Sequence, residues 1–324
     1  MFFLAEVPME IPYYCKTVLV ELARTMNTRE VIERAYQDFY DPSKPPVKHK
    51  CEGTAPDGQP ITILQMPYLG PDGLFIEKTL MINPKKRPGI TGYVTAYDTT
   101  TETPLATFDA TSLTGLRTAA KSALFAEKAY ANENPRSILI VGSSTEALYH
   151  AFEFRKVFPE TPLYVKARSE ESKQRILSWM KEVSTEATVI FDTKEMKEPL
   201  DLVIGTTPGT EFIITPEEAL RTRVMIAVGS SSGTTAEFPR DIVLKSYRVI
   251  DSRISIPGKG EANLAISEGK LKDTDFEEFK TYLNQPSTTA ALKDRPLLFI
   301  SKGLAIEDYA FVKAALAKFK DRPR

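Results

Sequence analysis

Cysteine and histidine, the residues that build disulfides and many metal sites, are scarce in this sequence. The 324 residues include two cysteines and two histidines. Cys15 and Cys51 lack a CxxC spacing, so they can form neither the disulfide framework of a small secreted domain nor a zinc site. His49 and His150 are too few for a multi-histidine metal site. We therefore expect no metal ion and a reducing, cytoplasmic location.

The sequence also lacks an excess of charge of either sign. Lys and Arg number 42 against 43 Asp and Glu, which gives a formal net charge of −1. Proteins that follow a phosphate backbone or an anionic membrane carry a positive excess, so we expect neither nucleic acid nor membrane as a partner. No apolar run is long enough to span a bilayer. The initial "MFFLA" is followed by Glu6 and has no basic residue before it, unlike a signal peptide.

From Ser137 onward the sequence alternates between apolar, β-branched runs and helical stretches. The runs "SILIVG", "PLYVKA", "TVIFD", "DLVIGTT", "VMIAVG" and "YRVID" are typical of buried strands, and "EALYHAFEFRKVF" and "ESKQRILSWMKEV" of the helices between them. Such alternation predicts parallel strands with crossover helices on both faces of the sheet. We therefore expect an α/β fold with a doubly wound, Rossmann-type domain.

The first 117 residues are organised differently. A segment with helical periodicity near residues 16–39 precedes the strand-like segments "ITILQMP", "LFIEKTLMI" and "TGYVTAYD". This combination indicates an α+β domain. A long helix from Thr111 to Ala131 joins the halves, and an amphipathic helix over 303–319 is expected to return to the first. We place residues 1–118 with 303–324 in one domain and residues 119–302 in the Rossmann-type domain.

Lys78 is the first candidate for chemistry. Strand alternation in "LFIEKTLMI" puts Lys78 on one face with Ile76, Leu80 and Ile82. A buried ammonium needs a partner, and loss of water lowers its pKa toward the range in which it exchanges protons. The pattern is equally compatible with a structural ion pair.

Arg117, on the joining helix, is also predicted to point inward among apolar side chains. It falls inside the apolar stripe of Leu113, Leu116, Ala120 and Leu124. An inward guanidinium requires a carboxylate, which could come from an internal Asp or Glu or from a ligand held by two parallel hydrogen bonds. Two inward cations in one domain favour an anionic substrate.

The segment "ILIVGSSTEALYH" (138–150) is a strand, a glycine turn and a helix, an arrangement that presents free N–H groups to a phosphate. Ser144 occupies the position of the second glycine in the dinucleotide fingerprint GxGxxG. Its hydroxyl, like those of Ser143 and Thr145, can bind a phosphate oxygen. Lys166 and Arg168 lie about 20 residues beyond the turn, where basic groups favour a 2′-phosphate and hence NADP(H) over NAD(H).

Taken in order, these segments resemble the ornithine cyclodeaminase/mu-crystallin family. The matching segments are "KTLMINP" (78–84), "YDTTTETPLATFDATSLTGLRTAAKSAL" (97–124), "VGSSTEALYH" (141–150), "DLVIGTTPGTEFI" (201–213), "IAVGSSSG" (226–233), "VIDSR" (249–253) and "FISKGLAIED" (299–308). The resemblance implies a homodimer whose N-terminal domain binds substrate and whose Rossmann domain holds NAD(P)H.

The resemblance also implies roles for individual residues. Arg117 would bind the substrate α-carboxylate, with Lys48 as the substitute for an early family arginine, and Lys78 would assist proton transfer at the reacting C–N or C–O centre. His150 is expected to have a packing role. The residues expected at the cofactor are Thr118, Gly142, Ser143, Ser144, Thr145, Glu146, Lys166, Arg168, Thr206, Thr207, Val228 and Ser231.

The sequence departs from the family pattern at three of these positions. Ser144 and Glu146 replace the second glycine and the glutamine of the turn, and Ser231 stands where the family has an aspartate that assists cyclodeamination. Serine cannot replace that base unaided at neutral pH. We therefore expect a reductase of a cyclic ketimine or of a 2-oxo acid plus amine, acting on a small carboxylate-bearing substrate. Ornithine cyclodeamination and a non-catalytic, mu-crystallin-like binding protein remain alternatives.

Overall fold

Two β-sheets, described by a computed structural model, make up the framework of the protein. The structure describes residues 10–43, 47–83, 85–86, 88–131, 133–209, 211–229, 232–258, 260–293 and 295–320. The first sheet comprises β1 (Tyr13–Tyr14), β2 (His49–Thr54), β3 (Pro60–Leu69), β4 (Leu74–Ile82), β5 (Ile90–Asp98) and β6 (Thr103–Asp109). Its strand order is β1-β6-β5-β4-β3-β2, and every neighbouring pair is antiparallel except β1 and β6.

The face prediction for β4 is confirmed. Ile76, Lys78 and Leu80 are buried, while Phe75, Glu77 and Thr79 are half-buried and Met81 is exposed on the other face. Ile82, at the end of the strand, is half-buried.

The second sheet is parallel throughout its described strands. It comprises β7 (Ile138–Val141), β8 (Leu163–Lys166), β9 (Thr188–Ile190), β10 (Leu202–Gly205), β11 (Val224–Ala227), β12 (Tyr247–Ile250), β13 (Glu277–Glu278) and β14 (Leu297–Ile300). The order is β13-β12-β14-β11-β10-β7-β8-β9. From β7 the chain runs outward through β8 and β9, and then returns to place β10 on the other side of β7.

Helices cover both sheets. Their bounds are α1 (Lys16–Thr25), α2 (Thr28–Arg34), α3 (Ala110–Tyr130), α4 (Thr145–Val157), α5 (Glu170–Glu182), α6 (Pro216–Arg221), α7 (Arg240–Lys245), α8 (Gly260–Ser267), α9 (Phe279–Asn284), α10 (Thr289–Leu292) and α11 (Ala305–Lys320). A π-helical turn, Ala35–Phe39, extends α2. In the described part of the chain, no helix has the length and apolar character needed to cross a membrane.

The parallel sheet has a hydrophobic core on each face. Side chains such as Ile140, Ile204 and Phe299 belong to one core, and their alternating neighbours such as Leu139 and Val203 belong to the other. Burial on both faces explains why these strands are continuously apolar in sequence. The doubly wound, Rossmann-type prediction is confirmed.

Helix α3 connects the two sheets. The side chain of Asp109 caps it by accepting a hydrogen bond from Ser112 N–H at 2.7 Å. The helix is buried on almost every side, Leu113, Leu116, Ala120 and Leu124 included, and it packs against β5 of the first sheet and β11 of the second. Helix α11 returns to the first sheet and packs against β3 and β4.

Candidate active site

The carboxyl ends of the parallel strands gather polar residues at one edge of the second sheet. Gly142 follows β7, Thr206 follows β10 and Asp251 follows β12, while Ser301 and Lys302 follow β14. The strand order reverses between β7 and β10. In open α/β sheets, ligands bind outside the carboxyl ends of the strands at such a switch point.

Lys78 reaches this edge from β4 of the first sheet. Its Nζ donates to both carboxylate oxygens of Asp308 on α11, each at 3.0 Å, and both residues are fully buried. Burial lowers the pKa of Lys78 to about 8, although Asp308 opposes the shift.

Arg117 shares Asp308 with Lys78. Its Nε donates to Asp308 Oδ1 at 3.1 Å and its Nη1 to Glu307 Oε2 at 2.7 Å. Burial would lower the pKa of Arg117, but Asp308 and Glu307 raise it above its ordinary value. Both inward cations therefore have carboxylate partners from the protein itself, which is the internal pairing considered for each from its sequence.

Lys121 extends the network one helical turn along α3. Its Nζ donates to Asp251 Oδ2 at 3.1 Å and to Glu307 Oε1 at 2.8 Å, with all three side chains fully buried. Burial would raise the pKa of Asp251, but Lys121 and the N–H groups of Gly303 and Lys302 lower it to about 2. Removing one partner from a buried ion pair costs about 3–5 kcal/mol, so these charges hold α3, α11 and β12 in register.

Lys48 contacts the same cluster through Gly303. Its Nζ donates to the Gly303 carbonyl at 2.7 Å, and the Gly303 Cα lies against the guanidinium of Arg117. Burial, together with the like charges of Lys302, Arg117 and Lys78, lowers the pKa of Lys48 to about 7, although Asp251 opposes the shift.

The turn after β7 lies at the switch point. Gly142 has φ +133°, and a Cβ there would collide with the Thr206 hydroxyl, so the turn requires glycine at this position. Ser144 caps α4, and its hydroxyl donates to the Thr206 carbonyl at 3.2 Å. Among the described residues, the N–H groups of Ser143, Thr145 and Glu146 have no acceptor. Free N–H groups at a helix start form an anion site.

Glu146, in the first turn of α4, faces the cation cluster. Its side chain is 26% exposed, yet its Oε2 atom is buried and has no hydrogen-bond partner. Burial raises the pKa of this carboxyl to about 7, although Arg117, Lys78 and Lys121 oppose the shift. The first turn of α4 therefore holds a titratable carboxyl on which the buried cations act.

Three basic residues flank the turn on its outer side. Lys166 ends β8 half-buried, and Arg168 is exposed beyond it. Arg175 of α5 donates from Nη2 to the Ser143 hydroxyl at 3.0 Å and to the Ser143 carbonyl at 3.2 Å. Arg175 was not singled out from the sequence.

Most of the other expected cofactor residues make internal contacts near this edge. The Thr118 hydroxyl donates to the Thr114 carbonyl, the Thr206 hydroxyl to the Val141 carbonyl and the Thr207 hydroxyl to Glu237. Val228 is half-buried after β11, and Ser231 lies outside the described residues.

His150 is fully buried on α4. Its two ring nitrogens lie 2.7 Å from the Glu146 carbonyl oxygen and 2.9 Å from Ser122 Oγ, and burial lowers its pKa to about 4. Its contacts are those of a core residue.

The acids of the cluster were missed by the sequence reasoning. Asp251, Glu307 and Asp308 lie in the motifs "VIDSR" and "FISKGLAIED", but no periodicity distinguishes them from surface acids. Lys121 did carry a signal, since it follows Arg117 by four residues and so lies on the same helix face.

Comparison with known proteins agrees with the motif series. A family model described as the ornithine cyclodeaminase/mu-crystallin family matches residues 82–322. The Δ1-pyrroline-2-carboxylate/Δ1-piperideine-2-carboxylate reductase of Azospirillum brasilense is 28% identical over 228 residues, 70% of either chain. The solved Thermococcus litoralis Δ1-pyrroline-2-carboxylate reductase, in complex with NADH and L-proline, has a TM-score of 0.79 and 22% identity, covering 96% of this chain and 98% of that one. An archaeal alanine dehydrogenase dimer with bound NAD has a TM-score of 0.75 and 22% identity, covering 96% and 97%.

Proposed function

The chain belongs to the ornithine cyclodeaminase/mu-crystallin family, and from that premise we propose that it is an NAD(P)H-dependent reductase of a C=N or C=O bond. Its substrate is an amino-acid-derived carboxylate, either a cyclic ketimine or a 2-oxo acid together with an amine. The relatives that reduce cyclic ketimines and the alanine dehydrogenase support this class of reaction. One observation carries the proposal: Lys78 and Arg117 share Asp308 beside the turn that begins α4.

The turn after β7 fits a nicotinamide dinucleotide. Free N–H groups at Ser143, Thr145 and Glu146 suit a pyrophosphate, and the Ser143 hydroxyl, which accepts from Arg175, offers an additional donor. When bound, the cofactor supplies the hydride. Thr118, Thr206, Thr207, Val228 and Ser231 are assigned to the same cofactor site from the family resemblance.

We assign NADP(H) rather than NAD(H) to this site. Lys166 ends β8 and Arg168 follows it, where a basic group accommodates the 2′-phosphate. Arg175, already bonded to Ser143, adds a third positive charge at the same end of the turn.

Arg117 and Lys78 act on different groups of the substrate. Arg117 uses Nε and Nη1 on the protein's acids, which leaves Nη2 for the α-carboxylate of the substrate, with Lys48 beside it at Gly303. Hydride addition to carbon leaves the nitrogen or oxygen in need of a proton. Lys78, with its pKa lowered to about 8, gives up a proton near neutral pH, and Asp308 holds the ammonium in place.

We also propose that the protein is a homodimer formed through the outer face of the first sheet. That face carries the large apolar side chains Tyr13, Met81, Tyr93 and Leu105, which are 38–53% exposed. Large apolar side chains exposed together on one sheet face are typical of an interface, and the archaeal alanine dehydrogenase is a dimer. Residues 1–118 with 303–324 form the substrate-binding and dimerisation unit of this proposal, and residues 119–302 the cofactor-binding unit.

The test is to mix the purified protein with NADPH or NADH and a panel of cyclic ketimines and of 2-oxo acids with amines. Nicotinamide absorbance should fall with at least one substrate. Lys78→Met should lower turnover by roughly 10²–10⁴-fold while cofactor binding is retained; Lys245→Met, on the surface, is the matched control. Tight cofactor binding without turnover across the panel would favour the binding-protein alternative. Release of ammonia and proline from ornithine would favour the cyclodeaminase.

A further inference from the structure

We propose that Lys48 and Lys302 form a second anion subsite, so that the substrate carries a second acidic group besides the carboxylate bound at Arg117. This inference rests on the proposed function and names the substrate class of the same site. It depends on which charges at the carboxyl edge already have partners and which do not.

Three cations of the cluster are matched by three carboxylates. Lys78 pairs with Asp308, Arg117 with Asp308 and Glu307, and Lys121 with Glu307 and Asp251. These side chains are almost completely buried, and the pairing leaves no carboxylate of the three for another cation.

Lys48 and Lys302 remain outside that pairing. In the described part of the chain, no carboxylate lies within 4 Å of either ammonium group. Lys48 Nζ donates to the Gly303 carbonyl at 2.7 Å, which accounts for one of its three N–H bonds. Lys302 Nζ lies against the Cα of Gly258, a position that only glycine leaves open.

Asp251 acts on the pKa values of both lysines, but its carboxylate already accepts hydrogen bonds from other groups. Its Oδ2 accepts from Lys121 Nζ at 3.1 Å and from the backbone N–H groups of Lys302 and Gly303, each at 2.6 Å. Glu146 faces Arg117, Lys78 and Lys121, and its buried Oε2 bonds to neither lysine.

The positive charge of Lys302 acts on the Lys48 ammonium. Among the like charges that lower the pKa of Lys48, Lys302 acts most strongly, and the pKa of Lys302 is itself lowered by burial. An anion bound between two half-buried cations relieves their repulsion and restores lost hydrogen bonds. A second carboxylate on the substrate supplies that anion. An ω-ammonium, as in ornithine, would instead meet like charge.

The experiment compares two cyclic ketimines that differ by one carboxylate, Δ1-piperideine-2-carboxylate and Δ1-piperideine-2,6-dicarboxylate. The wild-type protein should show a kcat/KM roughly 10–100-fold higher for the dicarboxylate, the range expected for one charge-assisted pair. Lys302→Met should remove that preference with little effect on the monocarboxylate. Lys302→Arg should keep it, and Lys245→Met is the surface control.

Equal kcat/KM values for the two ketimines in the wild type would overturn the subsite. A Lys302→Met variant that loses activity equally on both would also do so. If neither ketimine is reduced, these two ketimines are not substrates of the proposed reductase, and calorimetric titration with the saturated acids piperidine-2-carboxylate and piperidine-2,6-dicarboxylate decides the subsite alone. Tighter binding of the diacid that Lys302→Met abolishes supports it, and equal binding rejects it.

Discussion

At the scale of single residues, Gly303 organises the candidate site. Its N–H bonds Asp251, its carbonyl accepts from Lys48, and its Cα packs against the Arg117 guanidinium. The residue has φ +84°, a conformation that glycine adopts without steric cost. Both the conformation and the contact with Arg117 therefore require the absence of a side chain.

Gly303→Ala is expected to lower the free energy of unfolding by more than the cost of placing an alanine at a positive φ. A methyl group at this position adds a collision with Arg117 to the conformational cost, which is of the order of 1–2 kcal/mol for a non-glycine residue. Gly269→Ala is the matched control, since Gly269 has φ +67° and open space around it. Urea unfolding of both variants measures the difference; equal losses of unfolding free energy would contradict the contact.

Glu146 predicts an unusual pH dependence of stability. Its pKa is raised from 4.5 to about 7 in the folded state, so the folded protein holds the proton more tightly than the unfolded chain between these values. Stability from this group therefore falls as pH rises from 4.5 to 7, and the penalty persists above pH 7. Glu146→Gln should unfold like the wild type near pH 4.5 and be more stable at pH 8, by up to about 3 kcal/mol.

Urea unfolding at the two pH values tests this dependence, with Glu160→Gln on the surface as the control. A Glu146→Gln variant that is less stable than the wild type at pH 8 would show that the ionised carboxylate stabilises the fold.

At the scale of elements, the first turn of α11 connects two distant parts of the chain. Glu307 and Asp308 place two carboxylates among Lys78 of β4 and Arg117 and Lys121 of α3. The helix is thus held by charge as well as by the apolar packing of residues such as Phe311 and Val312.

Asp308→Leu should therefore lower the unfolding free energy by about 3–5 kcal/mol, because it leaves Lys78 buried without its carboxylate. Combining it with Lys78→Met should recover part of that loss, since the double variant no longer buries the unmatched ammonium. The four proteins of this double-mutant cycle are compared by urea unfolding. Strictly additive losses would mean that the pair has no coupling.

Sequence reasoning succeeded where the controlling interaction is local. The period of two in β4 placed Lys78 inward, and the helical spacing of α3 did the same for Arg117. Asp308 lies 230 residues from Lys78 in the chain, so the pairing depends on how β4 and α11 pack, which no local pattern encodes. The strand and turn at 138–150 were placed by their apolar run and single glycine. The assignment of Ser231, outside the described residues, stays a prediction.

At the scale of the whole molecule, the exposed apolar face of the first sheet controls the proposed assembly. Tyr13 and Tyr93 pack edge to face with ring centroids 6.0 Å apart, and both are about half exposed. Neighbouring side chains on this face, such as Leu105 and Met81, continue the apolar surface.

We expect the wild-type protein to sediment at twice the 36.2 kDa mass of one chain. Tyr93→Lys places a charge in the centre of the face and should shift the protein toward the monomer without unfolding it. Phe212→Lys, at an exposed apolar residue outside this sheet, is the control for an added charge. Sedimentation of the wild type at the mass of a single chain would exclude the homodimer.

The burial of α3 against both sheets has a consequence for protein engineering. Exchanging the substrate-recognising half of this chain with that of a relative would divide a hydrophobic interior to which both halves contribute. A functional chimera would have to transfer α3 intact, together with the first turn of α11 that neutralises its cations, so the natural crossover points lie outside the helix rather than within it.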